Sequence, residues 1–79
     1  PWQKAMDWAA SVNGVLPTRP VAALLFANAK DQFEEEWHWT SESDGSCAWD
    51  QYFGYGGQHY GHKSYEGQAR AVRLIQLTA

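Results

Sequence analysis

Three histidines, one cysteine and a scatter of carboxylates are the groups in this 79-residue chain that could hold a metal or drive covalent chemistry. His59 and His62 stand three apart in a stretch that reads as a strand. Side chains alternate between faces there, so the two diverge instead of converging on an ion. No His-x-x-x-His helix and no second cysteine joins His38, Cys47 or Asp50 to complete a ligand set. Neither a metal nor a cofactor is expected. Cys47 could pair with a histidine as a nucleophile, but a reactive thiol needs an electropositive setting. Its near neighbours are Asp44 and Asp50, so a buried, inert thiol is expected. Glu42, Asp44, Asp50 and Glu66 lie near turns, with nothing to fix the separation that glycosidase chemistry requires. The expectation is a chain without catalytic residues.

The rings offer more. WHWTSESDGSCAWDQYFGYG, residues 37–56, carries Trp37, Trp39, Trp49, Tyr52, Phe53 and Tyr55. Trp37, Trp39, Trp49 and Phe53 are expected to form core. Tyr52, Tyr55, Tyr60 and Tyr65 fall near turns, mixed with Gln51, Gln58, His59 and His62. Tyrosine among polar neighbours suits a protein-binding surface, where the ring gives area and the hydroxyl gives direction. The expected contact face is Tyr52, Tyr55, Gln58, His59, Tyr60 and His62, around the glycine turn at residues 54–57.

The elements that must position these groups follow from the pattern. Trp2, Ala5, Met6, Ala9 and Val12 recur at helical spacing, and Asn13-Gly14 tolerates a left-handed cap. Pro17 keeps Leu16 extended. Thr18 then caps a second helix with Pro20 in its first turn, running to Phe33. Its apolar residues Leu24 and Phe26 point to burial on more than one side. Alternation from Trp37 to Glu42 predicts a strand, and Ser43-Asp44-Gly45-Ser46 a turn. Cys47–Phe53 and Gln58–Lys63 then read as returning strands, and Ala69–Leu77 as a last one. The expected fold is α+β, with two helices on one face or end of an antiparallel meander of about four strands. Residues 1–79 are expected to make a single domain.

The totals narrow the class. Five tryptophans and a net charge of −3 fit a small globular domain, and no Lys/Arg cluster is present to bind nucleic acid. No apolar run approaches the roughly 20 residues that span a bilayer. One cysteine favours a reducing compartment over a secreted disulfide scaffold. The chain begins Pro1-Trp2, without an initiator methionine, and reads as a processed piece of a longer product.

The segments LPTR (16–19), LLFAN (24–28), W-x-W-T-S (37–41), AWDQYFGYG (48–56), KSYE (63–66) and ARAVR (69–73) together resemble a family of small phage and bacterial proteins. That family is named for the C-terminal domain of the collagen-like adhesin Lcl. The resemblance spans nearly the whole chain and implies a C-type-lectin-like fold. It implies a non-enzymatic recognition module of phage or prophage origin that contacts a protein or a glycan, in the bacterial cytoplasm or on the virion. A structural or virion-assembly role, acting through oligomers, is the alternative; a host-defence antagonist and a small hydrolase rank below both. Relatives carry glutamate where Val21 stands, which would complete a capping box with Thr18. Relatives also have an upstream strand, expected here to be missing, which would leave the last strand as an open edge for homo-oligomers. The calcium-binding motif of true C-type lectins does not occur here, nor does the cysteine pair of the related enzymes.

Overall fold

A computed structural model describes residues 1–73 of the chain. Helix α1 spans Trp2–Ser11 and α2 spans Arg19–Ala29, continued by a 3-10 turn at Lys30–Gln32. Strands β1 (Trp37–Asp44), β2 (Cys47–Tyr52) and β3 (Gln58–His62) form one antiparallel sheet in the order β1-β2-β3. The α+β class is as expected. The four-strand meander is not: among the described residues the sheet has three strands. Of the expected last strand, residues 69–73 make a single antiparallel bridge, Val72 to Val15 in the link between the helices, and do not extend the sheet at β3. Leu74–Leu77 lie outside the described residues.

Helix α1 ends as its sequence demands. Asn13 takes a left-handed φ of 62°, and the Asn13 and Gly14 amides donate to the Ala10 and Ala9 carbonyls. Both satisfy carbonyls that the helix end would orphan. At the start of α2 the Val21 amide donates to Thr18 Oγ1 at 3.4 Å. With valine in the third helical position no capping box closes; instead Glu42 of β1 accepts the amide of the first helical residue, Arg19, through Oε2 at 2.7 Å. A carboxylate at a helix N-terminus also meets the positive end of the helix dipole.

The helices do not share one face of the sheet. Register sets Trp37 opposite Tyr52 and Trp39 opposite Asp50, so these four side chains lie on one face. Helix α1 packs there, in a core of Trp2, Ala5, Ala9, Leu16, Trp39 and Ala48. Trp49, Gln51 and Phe53 lie on the other face with His38. There Phe53 stacks on Phe33 at 4.2 Å and meets Phe26 edge-on at 6.1 Å. The Arg19 guanidinium sits 3.6 Å above the Trp49 ring. Helix α2 therefore covers the second face, but only on one side of its axis. Ala22 is buried while Leu24 is 61% exposed, so burial on more than one side does not occur.

Trp39 and Phe53 are buried, as a core role requires, whereas Trp37 and Trp49 stay half-buried. A bulge explains why alternation misleads beyond Trp39. Pairing jumps from Trp39–Asp50 to Ser43–Ala48, so the three residues Thr40–Glu42 oppose the single residue Trp49. Buried Thr40 satisfies this break. Its hydroxyl donates to the Trp49 carbonyl at 2.8 Å and its carbonyl accepts Trp2 Nε1 at 2.9 Å.

The outer edge of β1 is closed by two neighbours. Gln68 exchanges backbone hydrogen bonds with Trp37 and Trp39, and the Ser41 amide donates to Pro17. Gly67 permits this approach, since a Cβ there would fall 2.6 Å from the Trp37 ring and 2.9 Å from Trp39 Nε1.

Candidate functional site

Beside the α1 core the sheet carries a groove of about 330 Å³. Its position follows from strand register. Trp37 and Tyr52 pair across β1 and β2, Asp50 pairs with His59, and Ala48 with Gly61. These pairings place Trp37, Asp50, Tyr52, His59 and Gly61 together, with Tyr65 added from the loop after β3. Gly61 holds the groove open above the carboxylate. A Cβ there would lie 3.6 Å from the Tyr65 ring and 3.7 Å from Asp50 Oδ2.

Asp50 is the unusual member. It sits in the middle of the central strand, 5% exposed, and its Oδ1 is sealed from solvent without a hydrogen bond. The nearest cationic candidate is His59 Nδ1 at 3.6 Å, within ion-pair reach but beyond hydrogen-bond length. Burial pushes the Asp50 carboxyl above its usual range, opposed by the nearby imidazole. On the other side of the ring, His59 Nε2 and the Tyr55 hydroxyl share a hydrogen bond at 3.3 Å. Tyr55 in turn packs on Tyr52 at 4.8 Å. The left-handed turn at Gly56, φ 87°, brings Tyr55 back over the sheet.

Of the residues expected to form a contact face, Tyr52, His59 and Tyr60 line the groove, and Tyr55 does not line it but contacts Tyr52 and His59. The Tyr60 ring lies against Trp49 at 5.1 Å and its hydroxyl donates to the Asp44 carbonyl. Gln58 is placed on the opposite face. It donates to the Arg19 carbonyl at 2.8 Å and to Gln51 Oε1 at 2.9 Å, and accepts from Arg19 Nε, tying α2 to the sheet. His62 does not line the groove: its ring is 2.7 Å from Ser64 Oγ and 6.0 Å from the ring of Tyr65, which does. Trp37, Asp50, Gly61 and Tyr65 are the groove members that sequence reasoning left out. The available signal was a lone carboxylate between Trp49 and Gln51 in a strand otherwise suited to burial.

The groove joins aromatic faces to one carboxylate and one imidazole, and no Ser, Cys or Lys lines it among the described residues. Cys47 stands at the start of β2, half-buried, with Ser46 Oγ 4.0 Å from its sulfur. A larger hollow of about 560 Å³ between the helices, lined by Met6, Leu16, Pro17, Val21 and Val72, is apolar and lacks a carboxylate. Arg70 donates to the Gln32 carbonyl at 2.9 Å and lies over Phe33. No helix among the described residues is long and apolar enough to cross a membrane.

No protein family, curated protein or solved structure matches this chain.

Proposed function

We propose that this chain is a non-enzymatic recognition module that engages its partner in the groove over Asp50. The observation that carries this reading is a buried carboxylate, Asp50, at the base of an aromatic groove, its side chain 7% exposed and its nearest cationic candidate, His59, only within ion-pair distance. Burying a carboxylate without full hydrogen-bonding compensation costs stability, and such costs concentrate at functional sites. The resemblance to the Lcl C-terminal-domain family supports the same class of role, with a C-type-lectin-like fold and a phage or prophage origin. The test is a screen of synthetic peptide and glycan arrays with the wild-type chain and with Gly61→Val. That substitution fills the groove where a Cβ meets only ordinary contacts. A ligand bound by the wild type and lost in Gly61→Val supports the reading. An array with no ligand, or one bound equally by both chains, overturns it.

A second reading is assembly through the sheet edge. Backbone bonds from Gln68 and Pro17 cover β1, whereas among the described residues the outer side of β3 makes only a local turn bond, Tyr65 to His62. An open edge strand is a template for a second chain. Light scattering distinguishes the two: a stable dimer lost on placing proline in β3 favours assembly, and a monomer removes it.

A further inference from the structure

Given that the groove is a binding site, we infer that it takes an organic cation, the lysine or arginine side chain of a partner protein. Four features select this class over a neutral ligand. The Asp50 side chain is 7% exposed, so a ligand reaching it forms its contact largely out of water, where a charge-assisted bond is strongest. Trp37, Tyr52 and Tyr65 present rings around it, and an aromatic face attracts a cation through its quadrupole.

The chain's own cations show the same preference. Arg19, Lys30, Lys63 and Arg70 lie over Trp49, Phe26, Trp2 and Phe33 respectively. Among the described residues no such pair involves the three groove rings, so the groove repeats this pairing chemistry with the cation left to a partner. The net charge of −3 adds a long-range attraction of the same sign. A sugar would also stack on the rings, but its neutral hydroxyls leave the Asp50 charge uncompensated.

The experiment uses the full chain, with the ring and indole resonances of Trp37, Tyr52 and Tyr65 followed by NMR. The probes are Nα-acetyl-lysine methylamide, Nα-acetyl-arginine methylamide, the uncharged Nα-acetyl-norleucine methylamide, and a neutral monosaccharide. Saturable shifts at the groove with the two cations, and none with norleucine, are expected. Asp50→Asn, with its fold checked by circular dichroism, is expected to weaken the cations by about tenfold or more, the worth of a hydrogen bond to a charged group. Gly61→Val, which keeps the carboxylate, is expected to abolish the shifts independently. Equal affinity in Asp50→Asn, or no groove shift with either cation, overturns the inference. Groove shifts with the sugar but not the cations overturn the cation class alone and leave recognition at this groove standing. Silence from all four probes overturns the cation class, while the array comparison separately decides whether the groove binds at all.

Discussion

The Asp50 carboxylate and the His59 imidazole face each other across β2 and β3 at 3.6 Å, one buried and the other largely exposed. The pair reaches the surface through the Tyr55 hydroxyl on the far side of the ring. Burial of a carboxylate placed this way disfavours its charged form and lowers the stability of the fold.

That cost is measurable. A folded pKa raised by burial means that the native state holds the Asp50 proton more tightly than the unfolded chain does. The cost is therefore present above the folded pKa and disappears as pH falls toward the ordinary carboxylate value of about 4. At pH 7, Asp50→Asn is expected to raise stability by up to about 1 kcal/mol, a gain of several degrees in Tm for a domain of this size. Thermal melts at pH 7 and pH 4 check this, with the gain shrinking at the lower pH.

His38 has the opposite sign of pH dependence. Buried between Phe33 and Phe53, it donates its Nδ1 proton to the Glu36 carbonyl at 3.0 Å. Desolvation holds its pKa below the ordinary value of about 6.5. The unfolded chain thus binds the extra proton first, and stability from this group is lost as pH falls from about 6.5 through the folded pKa. The slope from one proton is at most about 1.4 kcal/mol per pH unit. Denaturant midpoints between pH 7.5 and pH 5 are expected to decline in the wild type and to flatten in His38→Gln.

Glu42 joins β1 to α2. Removing its carboxylate in Glu42→Ala strips the Arg19 amide of its acceptor and is expected to cost about 1–2 kcal/mol, the scale of a helix cap. A denaturation curve with unchanged slope and a lower midpoint is the expected result.

Gly67 is held by contact, not by turn geometry. In Gly67→Ala the new methyl would press into the rigid indoles of Trp37 and Trp39. The expected loss is about 1–3 kcal/mol, seen as a lower Tm. By contrast, Gly61→Ala meets only ordinary contacts at 3.6–3.9 Å and is expected to leave the melt nearly unchanged.

Local signals carried the helices and the first turns of the argument. Asn13-Gly14 and Thr18 act as caps because capping depends on neighbouring residues alone. The strands and the α+β class were legible from alternation. What failed depends on distant partners. The register across the bulge at Thr40–Glu42 puts Asp50, and not Trp49, on the face of Trp37, and nothing in the local pattern announces it. The bridge from Val72 to Val15 likewise joins segments far apart in the chain. In the site, Tyr52, Tyr55 and His59 were visible as tyrosine and histidine near a glycine turn. Gln58 was misplaced because its hydrogen bonds to Arg19 and Gln51 require knowing that α2 lies on that face. In the sequence Asp50 is one of several carboxylates near turns, and only its burial sets it apart.

The most direct test of recognition at Asp50 is a crystal structure of the chain soaked with Nα-acetyl-arginine methylamide. The account predicts a guanidinium within hydrogen-bond distance of Asp50 and flanked by the Trp37, Tyr52 and Tyr65 rings. A groove without the probe, or a guanidinium bound there without contacting Asp50, would contradict it.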